Sequence, residues 1–298
     1  RVLLDFGFTS AYSAGALGDG IEVRLAAAIN AGQTAGPRLI PSTLERSPEG
    51  AEGVDTGDVF NGRGPDAMRA FMAYCADQGI GSVKLVISGE SALKPDSHND
   101  ILYTPEEMDA AREAANKHGL WIAAHAYTDE AVDLALRAGA RIIYHGSYIG
   151  EATQAKLAAH KDSVFYGPGC GVSVAALEAS PPPHIDMSSM KASAAERMAL
   201  EGKLVPALKA KGVRILTGGD YGFPFNPNGR NARRGAGRDH LAGRGTDGTE
   251  GGPRSRGLSG RSAAGRRRSH AGCRHPSGQE PPDCDHEGRH LPQGPRAG

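Results

Sequence analysis

Residues 103–147 read YTPEEMDAAREAANKHGLWIAAHAYTDEAVDLALRAGARIIYHGS and contain two successive units in which an amphipathic helix precedes an apolar strand. The first helix has a clear start at residues 104–107, with a hydroxyl at the N-cap, proline at the first helical position and acids in the first turn. Lys117-His118-Gly119 is the matching helix end. The continuously apolar run that follows predicts a strand covered on both faces, which is typical of a parallel sheet.

The same alternation of apolar runs and amphipathic stretches extends from Arg1 to Asp220. Strands are predicted at residues 8–13, 38–42, 82–87, 121–126, 141–145, 163–166 and 214–217. Helices are predicted at residues 21–31, 66–78, 105–118, 129–138, 151–160 and 192–211. This pattern predicts an α/β fold, an incomplete (β/α)8 TIM barrel that lacks its first strand. A doubly wound open sheet is the alternative, although no glycine-rich phosphate loop follows the first strand.

The chain of 298 residues has no net formal charge at pH 7, but its two parts differ. Residues 1–228 carry 20 Lys and Arg against 27 Asp and Glu, whereas residues 229–298 carry 14 Arg and 7 acids. The second segment contains 16 Gly and no Lys, Ile, Val, Met, Phe, Tyr or Trp, so it cannot bury enough apolar surface to offset its chain entropy. We therefore predict a barrel domain at residues 1–232 and a disordered basic Gly/Arg-rich tail at residues 233–298.

Arginine without any lysine in the tail is typical of a gene translated out of frame. Permitted codons for residues 275–295, read one base forward, give ILQDKNRLTAIMKDGIFHKA, which is an ordinary protein sequence. We therefore expect a frameshift close to residue 232. A basic tail that binds nucleic acid is the alternative.

Cysteine usage and hydropathy bound the cellular context. Four cysteines without a CxxC pair are typical of a reducing compartment, and we predict a cytoplasmic location. No apolar run approaches the roughly 20 residues that a membrane span requires. We expect a small-molecule substrate, no membrane partner and no specific nucleic-acid partner, and the sequence leaves homo-oligomerisation open.

Four residues at the ends of predicted strands can carry chemistry: Lys84, His125, His145 and Asp220. The carboxyl ends of barrel strands converge on one mouth, where imidazole and carboxylate suit a divalent ion such as zinc. A lysine carboxylated by CO₂ offers two oxygens that can bridge two ions. Each residue alone also has a structural interpretation: a hydrogen-bonded core histidine, a lysine in an ion pair, or an aspartate that caps a turn. Their shared position favours a metal centre.

These strand ends carry a family resemblance. The segments YTPEEMDAAREAANKHGLWIAAHA, EAVDLALRAGARIIYHGS and LKAKGVRILTGGDYG resemble the amidohydrolase superfamily, in particular its imidazolonepropionase/Xaa-Pro-dipeptidase-like branch. GFTSAYSAG and AINAGQTAGPRLI are similar to the same family around its second and third strands, so the resemblance covers residues 1–232. GGDYGFPFNPNGRNAR is more similar to hydrolases of amide, urea and carbamate xenobiotics.

The resemblance implies a centre of two divalent ions, expected to be zinc, in a hydrolase that cleaves C–N bonds of small amides, ureas, carbamates or dipeptides. It implies that Lys84 is the carboxylated ligand that bridges the ions. His125 and His145 would bind the second ion. Asp220 would bind the first ion and act as the general base.

The same resemblance implies a substrate border formed by His125, Tyr127 and the Ser88-Gly89 turn. Residues 167–183, with three consecutive prolines, are predicted to form a long loop that either covers the mouth or is a spacer. A deaminase of the same superfamily is one alternative function. A Schiff-base lyase or aldolase with Lys84 as nucleophile is a second, and a noncatalytic binding protein with a basic tail is a third.

The family's first strand carries a His-x-His pair that binds the first ion, and no such pair occurs in this sequence. We therefore expect the N-terminal region with that strand to be missing and the chain to be inactive. A barrel without one strand exposes two sheet edges, which predicts poor stability or aggregation.

Overall fold

The computed structural model describes residues 1–229, apart from residues 17, 19, 49–60 and 93. The predicted tail and frameshift at residues 233–298 therefore lie outside the described residues. The helices and strands, in chain order, are α1 (Val2–Asp5), β1 (Ser10–Tyr12), α2 (Ile21–Asn30), β2 (Arg38–Ile40), α3 (Pro65–Asp77), β3 (Ser82–Val86), a 3₁₀ helix (Ser97–Asn99), α4 (Pro105–His118), β4 (Trp121–Thr128), α5 (Asp129–Arg137), β5 (Ile142–Tyr148), α6 (Glu151–Ala159), β6 (Phe165–Gly167), α7 (Cys170–Glu178), α8 (Ser188–Ala210) and β7 (Arg214–Ile215).

The strands pair in parallel and in consecutive order. β3 to β7 form a five-stranded sheet, and β1 pairs with β2 in a second sheet. The chain that follows β2 contacts β3: the carbonyl of Pro41 accepts from the N–H of Ser82 at 3.1 Å, the N–H of Arg46 donates to the carbonyl of Lys84 at 2.9 Å, and the carbonyl of Arg46 accepts from the N–H of Val86 at 3.0 Å. The strand order of the larger sheet does not reverse, as it does at the switch point of a doubly wound fold. The topology therefore argues against the doubly wound alternative.

The core lies between the larger sheet and the helices that cover it. Strands β3, β4 and β5 are buried over most of their length, as expected for parallel strands covered on both faces. Helix α4 contributes four small buried residues to this core, Ala110, Ala111, Ala114 and Ala115, and it packs against the neighbouring helices α3 and α5. Among the described residues, no helix is both long enough and apolar enough to cross a membrane.

Helix α4 begins and ends where the sequence predicts. The hydroxyl of Thr104 accepts from the N–H of Glu107 at 3.3 Å, and one carboxylate oxygen of Glu107 accepts from the N–H of Thr104 at 2.8 Å. The other oxygen of Glu107 accepts from the N–H of Gly64 at 2.7 Å, directly before α3. Gly119 ends the helix in the left-handed region at φ 70°. One carboxylate therefore fixes the starts of two helices.

The prediction was wrong between β6 and α8. Residues 167–183 were expected to form a loop, but Cys170–Glu178 form helix α7. Its N-cap residue is Gly169, which has no side chain that could cap the helix and so gives no signal of a helix start. The helix is held by packing that buries Ala175 and Ala176, a tertiary effect that the local sequence does not show. Helix α8 also begins at Ser188, four residues before its predicted start at residue 192.

Replacing Glu107 by alanine is expected to lower the free energy of unfolding by about 2–3 kcal/mol, because two backbone N–H groups lose their acceptor. Thr104→Ala removes one of these hydrogen bonds and is expected to cost about 1 kcal/mol. The exposed neighbour gives the matched control Glu106→Ala, expected to change stability by less than about 0.5 kcal/mol. Urea unfolding measures all three variants, and equal effects at positions 106 and 107 would contradict this prediction.

Candidate active site

Three of the four predicted metal ligands lie on neighbouring strands. Lys84 is in β3, His125 is in β4 and His145 is in β5, and all three side chains are buried. The pairing of β4 with β5 places His145 beside Ala126, one residue after His125. Asp220 lies five residues after the end of β7, and its carboxyl interacts electrostatically with Lys84. The structure thus brings the predicted residues to one end of the sheet.

The rings of His125 and His145 contact each other. Their centroids are 4.7 Å apart and their planes are inclined by 64°. Burial lowers the pKa of both imidazoles, and the positive charge of Lys84 adds to this effect on each. For His125 the carboxylate of Glu90 opposes the shift. The two imidazoles are therefore neutral at physiological pH, which is the form that binds a metal ion.

The backbone is strained at two of the predicted ligands. His145 has φ 76° and Asp220 has φ 51°, and Asp96 is the third non-glycine residue with positive φ among those that the structure describes. Such conformations cost roughly 1–3 kcal/mol each and cluster at functional sites. The ladder between β4 and β5 also shifts register between Ala126 and Thr128, beside the histidines. A register shift of this kind re-aims side chains next to a site.

The ring of His145 and the Cβ of Asp220 both lie close to Gly169. Gly169 has φ 63°, and a Cβ at this position would lie 3.2 Å from the ring of His145 and 3.8 Å from the Cβ of Asp220. The carbonyl of Asp220 accepts a hydrogen bond of 2.8 Å from Asn226. Burial raises the pKa of the Asp220 carboxyl, which Lys84 opposes and Glu45 reinforces. A carboxylate with a raised pKa is suited to accept a proton from water.

Lys84 makes the ion pair that the structural interpretation predicts. Its Nζ lies 3.1 Å from Oε1 of Glu45 and 3.3 Å from the carbonyl oxygen of Ala14, and it lies 5.0 Å from the centroid of the Tyr144 ring. Carboxylation requires a neutral amine, so Glu45 must leave before Lys84 can become a metal ligand. The side chain of Glu45 is 41% exposed, so it can move toward solvent. The bridging role of Lys84 stays a prediction.

The two predicted substrate residues differ in their surroundings. Ser88 is fully buried, and its hydroxyl accepts from the N–H of Tyr127 at 3.0 Å, so it supports the end of β4. The ring of Tyr127 lies 4.7 Å from that of His125 and 5.1 Å from that of His145. Its hydroxyl donates to the carboxylate of Glu90, at 3.0 Å to the nearer oxygen. Contact of either residue with a substrate stays a prediction.

Three charged residues near the histidines were not predicted from the sequence: Glu90, Arg197 and Glu201. Burial acts to raise the pKa of Glu90, but His125, Arg197 and hydrogen bonds outweigh it, and the pKa is lowered. Glu90 follows the end of β3 by four residues, a position that the strand-end criterion could have included. Arg197 and Glu201 lie one turn apart on α8, a spacing so common on exposed helices that it gave no signal.

Glu201 connects α8 to the strand that carries His145. Its Oε1 accepts from the hydroxyls of Ser147 at 2.8 Å and Tyr166 at 2.7 Å. The Tyr166 hydroxyl also contacts the carbonyl oxygen of His145. Burial raises the pKa of Glu201 to about 7, against the opposing effects of these hydrogen bonds and of Arg197.

The donor types fit a divalent ion, but a complete donor set is not preformed. Among the described residues, no three His, Cys, Asp or Glu side chains lie close enough together to hold a metal ion. His125 and His145 offer two neutral imidazoles, and the Cβ of Asp220 lies close to Gly169, as the ring of His145 does. The histidine pair is therefore the part of the site that fits a metal ion, and further donors require rearrangement.

Comparison with known proteins identifies the fold. No family model and no curated protein matches the sequence. A crystal structure of a Xaa-Pro dipeptidase with bound methionine in the active site is 24% identical, with a TM-score of 0.62 over 74% of this chain and 56% of its own. A crystal structure of an amidohydrolase is 25% identical, with a TM-score of 0.58 over 72% of this chain and 55% of its own.

A third structure, phenylurea hydrolase B, is 16% identical, with a TM-score of 0.55 over 81% of this chain and 56% of its own. The chain therefore has the α/β fold that these hydrolases share, as the resemblance in the sequence predicts. It spans little more than half the length of these solved structures.

Glu201 is expected to make stability depend on pH. Its pKa is about 7 in the folded protein against 4.5 for the free side chain, so the folded protein retains a proton that the unfolded chain releases between these values. The free energy of unfolding therefore falls as pH rises from 4.5 to 7, and this group contributes up to about 3 kcal/mol of the fall.

Glu201→Gln cannot ionise and is expected to abolish this contribution, so that the variant is more stable than the parent above pH 7. Urea unfolding at pH 5 and pH 8 measures the difference, with the exposed Glu130→Gln as the matched control. Parallel pH profiles for the parent and the Glu201 variant would show that this carboxyl has no such effect.

Proposed function

We propose that the chain derives from a metal-dependent hydrolase that cleaves C–N bonds of small amides, ureas, carbamates or dipeptides. The observation that carries this proposal is the contact between His125 and His145 at the ends of adjacent parallel strands, with His145 in a left-handed conformation. The shared fold with a Xaa-Pro dipeptidase and a phenylurea hydrolase supports the same chemistry.

The proposed barrel is incomplete. The seven described strands are parallel and follow chain order within two sheets, β1 to β2 and β3 to β7, and no ladder joins β2 to β3 among the described residues. We assign residues 1–232 to this barrel and residues 233–298 to a basic tail. No His-x-His pair occurs in the 298 residues, so the first ion of a binuclear centre lacks two donors. We therefore propose that this chain alone is inactive.

The described side chains have distinct roles in the proposed reaction. A bound divalent ion, expected to be zinc, would supply an activated water and polarise the scissile carbonyl. His125 and His145 would hold it as neutral imidazoles, and Lys84 would join them after carboxylation by CO₂. Asp220 accepts the proton of the attacking water and delivers it to the leaving nitrogen, a role that its raised pKa supports. Tyr127 borders the substrate beside both rings.

The purified chain is expected to bind Zn²⁺ or Co²⁺ through His125 and His145. His125→Ala and His145→Ala should each weaken binding by more than about 100-fold, since even the loss of groups behind a ligand costs roughly 10- to 100-fold. Isothermal titration calorimetry and the visible spectrum of Co²⁺ measure this binding. The exposed His160→Ala is the matched control and should bind as the parent does.

Two outcomes would contradict the proposed site. Metal affinity that is unchanged in both variants would show that other residues, such as histidines and cysteines of residues 233–298, hold the ion. That result would exclude the histidine pair as the binding site. Turnover of an amide, urea or carbamate by the chain itself would show that the proposed inactivity is wrong.

A further inference from the structure

Aromatic rings are arranged in three layers around the histidine pair. The innermost layer, His125 and His145, is 5% and 4% exposed. The ring of Tyr127 is fully buried and packs against both imidazoles. His98 and Tyr148 form the outer layer, which is half-buried, and both lie edge-on to Tyr127, with centroid distances of 6.5 Å and 5.9 Å. Exposure to solvent thus falls from the outer rings to the inner ones.

The two outer rings are stacked on each other. Their centroids lie 4.0 Å apart and their planes are inclined by only 9°. The rings come from different parts of the chain, because His98 lies in the 3₁₀ helix after β3 and Tyr148 is the last residue of β5. A stack between separate segments depends on the contact of its rings, so rotation of either side chain opens it.

Hydrogen bonds orient each ring of the stack. Nδ1 of His98 lies 2.6 Å from Oγ of Ser91, and Nε2 lies 3.2 Å from Nδ2 of Asn99. The hydroxyl of Tyr148 forms a hydrogen bond with the carboxylate of Glu196 on α8. Burial, together with the charge of Glu196, raises the pKa of this hydroxyl to about 12, so it remains a donor at physiological pH. The stacked pair is therefore held by contacts on both of its segments.

Access to the nearly buried imidazoles requires that neighbouring groups move. Two of their neighbours are backbone: the carbonyl oxygen of Gly89 lies 3.4 Å from Nε2 of His125, and Gly169 lies close to the ring of His145. Backbone cannot move by the rotation of a side chain, whereas the rings of the outer layer can. Opening of the stack is therefore a small rearrangement that uncovers Tyr127 and the imidazoles behind it.

We propose that His98 and Tyr148 form an aromatic gate that controls the access of metal ions and small molecules to the histidine pair. The stacked arrangement is the closed gate, and rotation of either ring opens it. This inference rests on the proposed function for the reaction behind the gate, but the movement itself requires neither a metal ion nor a substrate. The gate sets the rates of entry and exit rather than the affinity, because it changes both rates by the same factor.

The test measures how fast the buried histidines react with diethyl pyrocarbonate, which modifies neutral imidazoles. The purified full chain is treated near neutral pH, and peptide mass spectrometry follows the modification of His125 and His145, with the exposed His160 as internal reference. His98→Ala and Tyr148→Ala are each expected to accelerate the modification of both buried histidines by at least about threefold, since each variant removes one ring of the stack.

Two further variants separate the stack from other effects. Tyr148→Phe keeps the ring and loses only the hydroxyl, so the modification rates should stay within about twofold of those of the parent. His184→Ala, at an exposed histidine outside the gate, is the matched control and should leave the rates unchanged. His98→Ala, at a half-buried position, provides the test if Tyr148→Ala fails to fold, as judged by circular dichroism and urea unfolding.

Unchanged modification in both alanine variants, or an equal increase in Tyr148→Phe and Tyr148→Ala, would overturn the inference. Stopped-flow measurement of Co²⁺ binding separates this result from the proposed function. His98→Ala is expected to bind and release Co²⁺ faster than the parent, with an unchanged dissociation constant. Faster modification without Co²⁺ binding refutes the metal-dependent function alone, whereas Co²⁺ binding with unchanged modification refutes the gate alone.

Discussion

Parallel hydrogen bonding between β4 and β5 is the constraint on which the candidate site depends. The ladder runs from Ala123 to Thr128 and aligns Ala126 with His145, which sets the two histidine rings 4.7 Å apart. The sheet is stable because helices cover it and bury nearly the whole of its central strands. The regular ladder ends at the register shift between Ala126 and Thr128, and both histidines lie next to this shift. The sheet thus positions the two histidines, whereas Asp220 and Glu90 lie on segments that follow β7 and β3.

Charges inside the fold are arranged differently from those on its surface. On the surface, Arg137 forms a bidentate pair with Asp109, and Lys156 pairs with Asp133 at 2.6 Å. These exposed pairs satisfy themselves and contribute little to stability. Near the strand ends, Arg197 has no ion pair among the described residues and one oxygen of Glu201 has no hydrogen bond. Incomplete pairing of buried groups destabilises a protein, and here two such groups lie beside His145 and the strand that carries it.

The sequence predicted those features that depend on local signals. Helix α4 has the expected bounds because Thr104, Pro105 and Glu107 form a capping sequence and Gly119 can adopt positive φ. The strands were predicted because they are apolar, and their carboxyl ends identified His125 and His145. The other features depend on tertiary contacts. Helix α7 is held by burial against its neighbours, and a pair of charges four residues apart on α8 does not reveal that its arginine is buried. The ion pair of Lys84 with Glu45 joins residues 39 positions apart.

Helix α8 contacts the ring of His145 directly and its main chain through Tyr166. Arg197 contacts the ring, and Glu201, one turn later, binds the tyrosine hydroxyl that contacts the histidine carbonyl oxygen. The orientation of the imidazole and the position of its backbone therefore both depend on contacts to one helix. A substitution that alters the packing of α8 would change the geometry of His145 at two points at once.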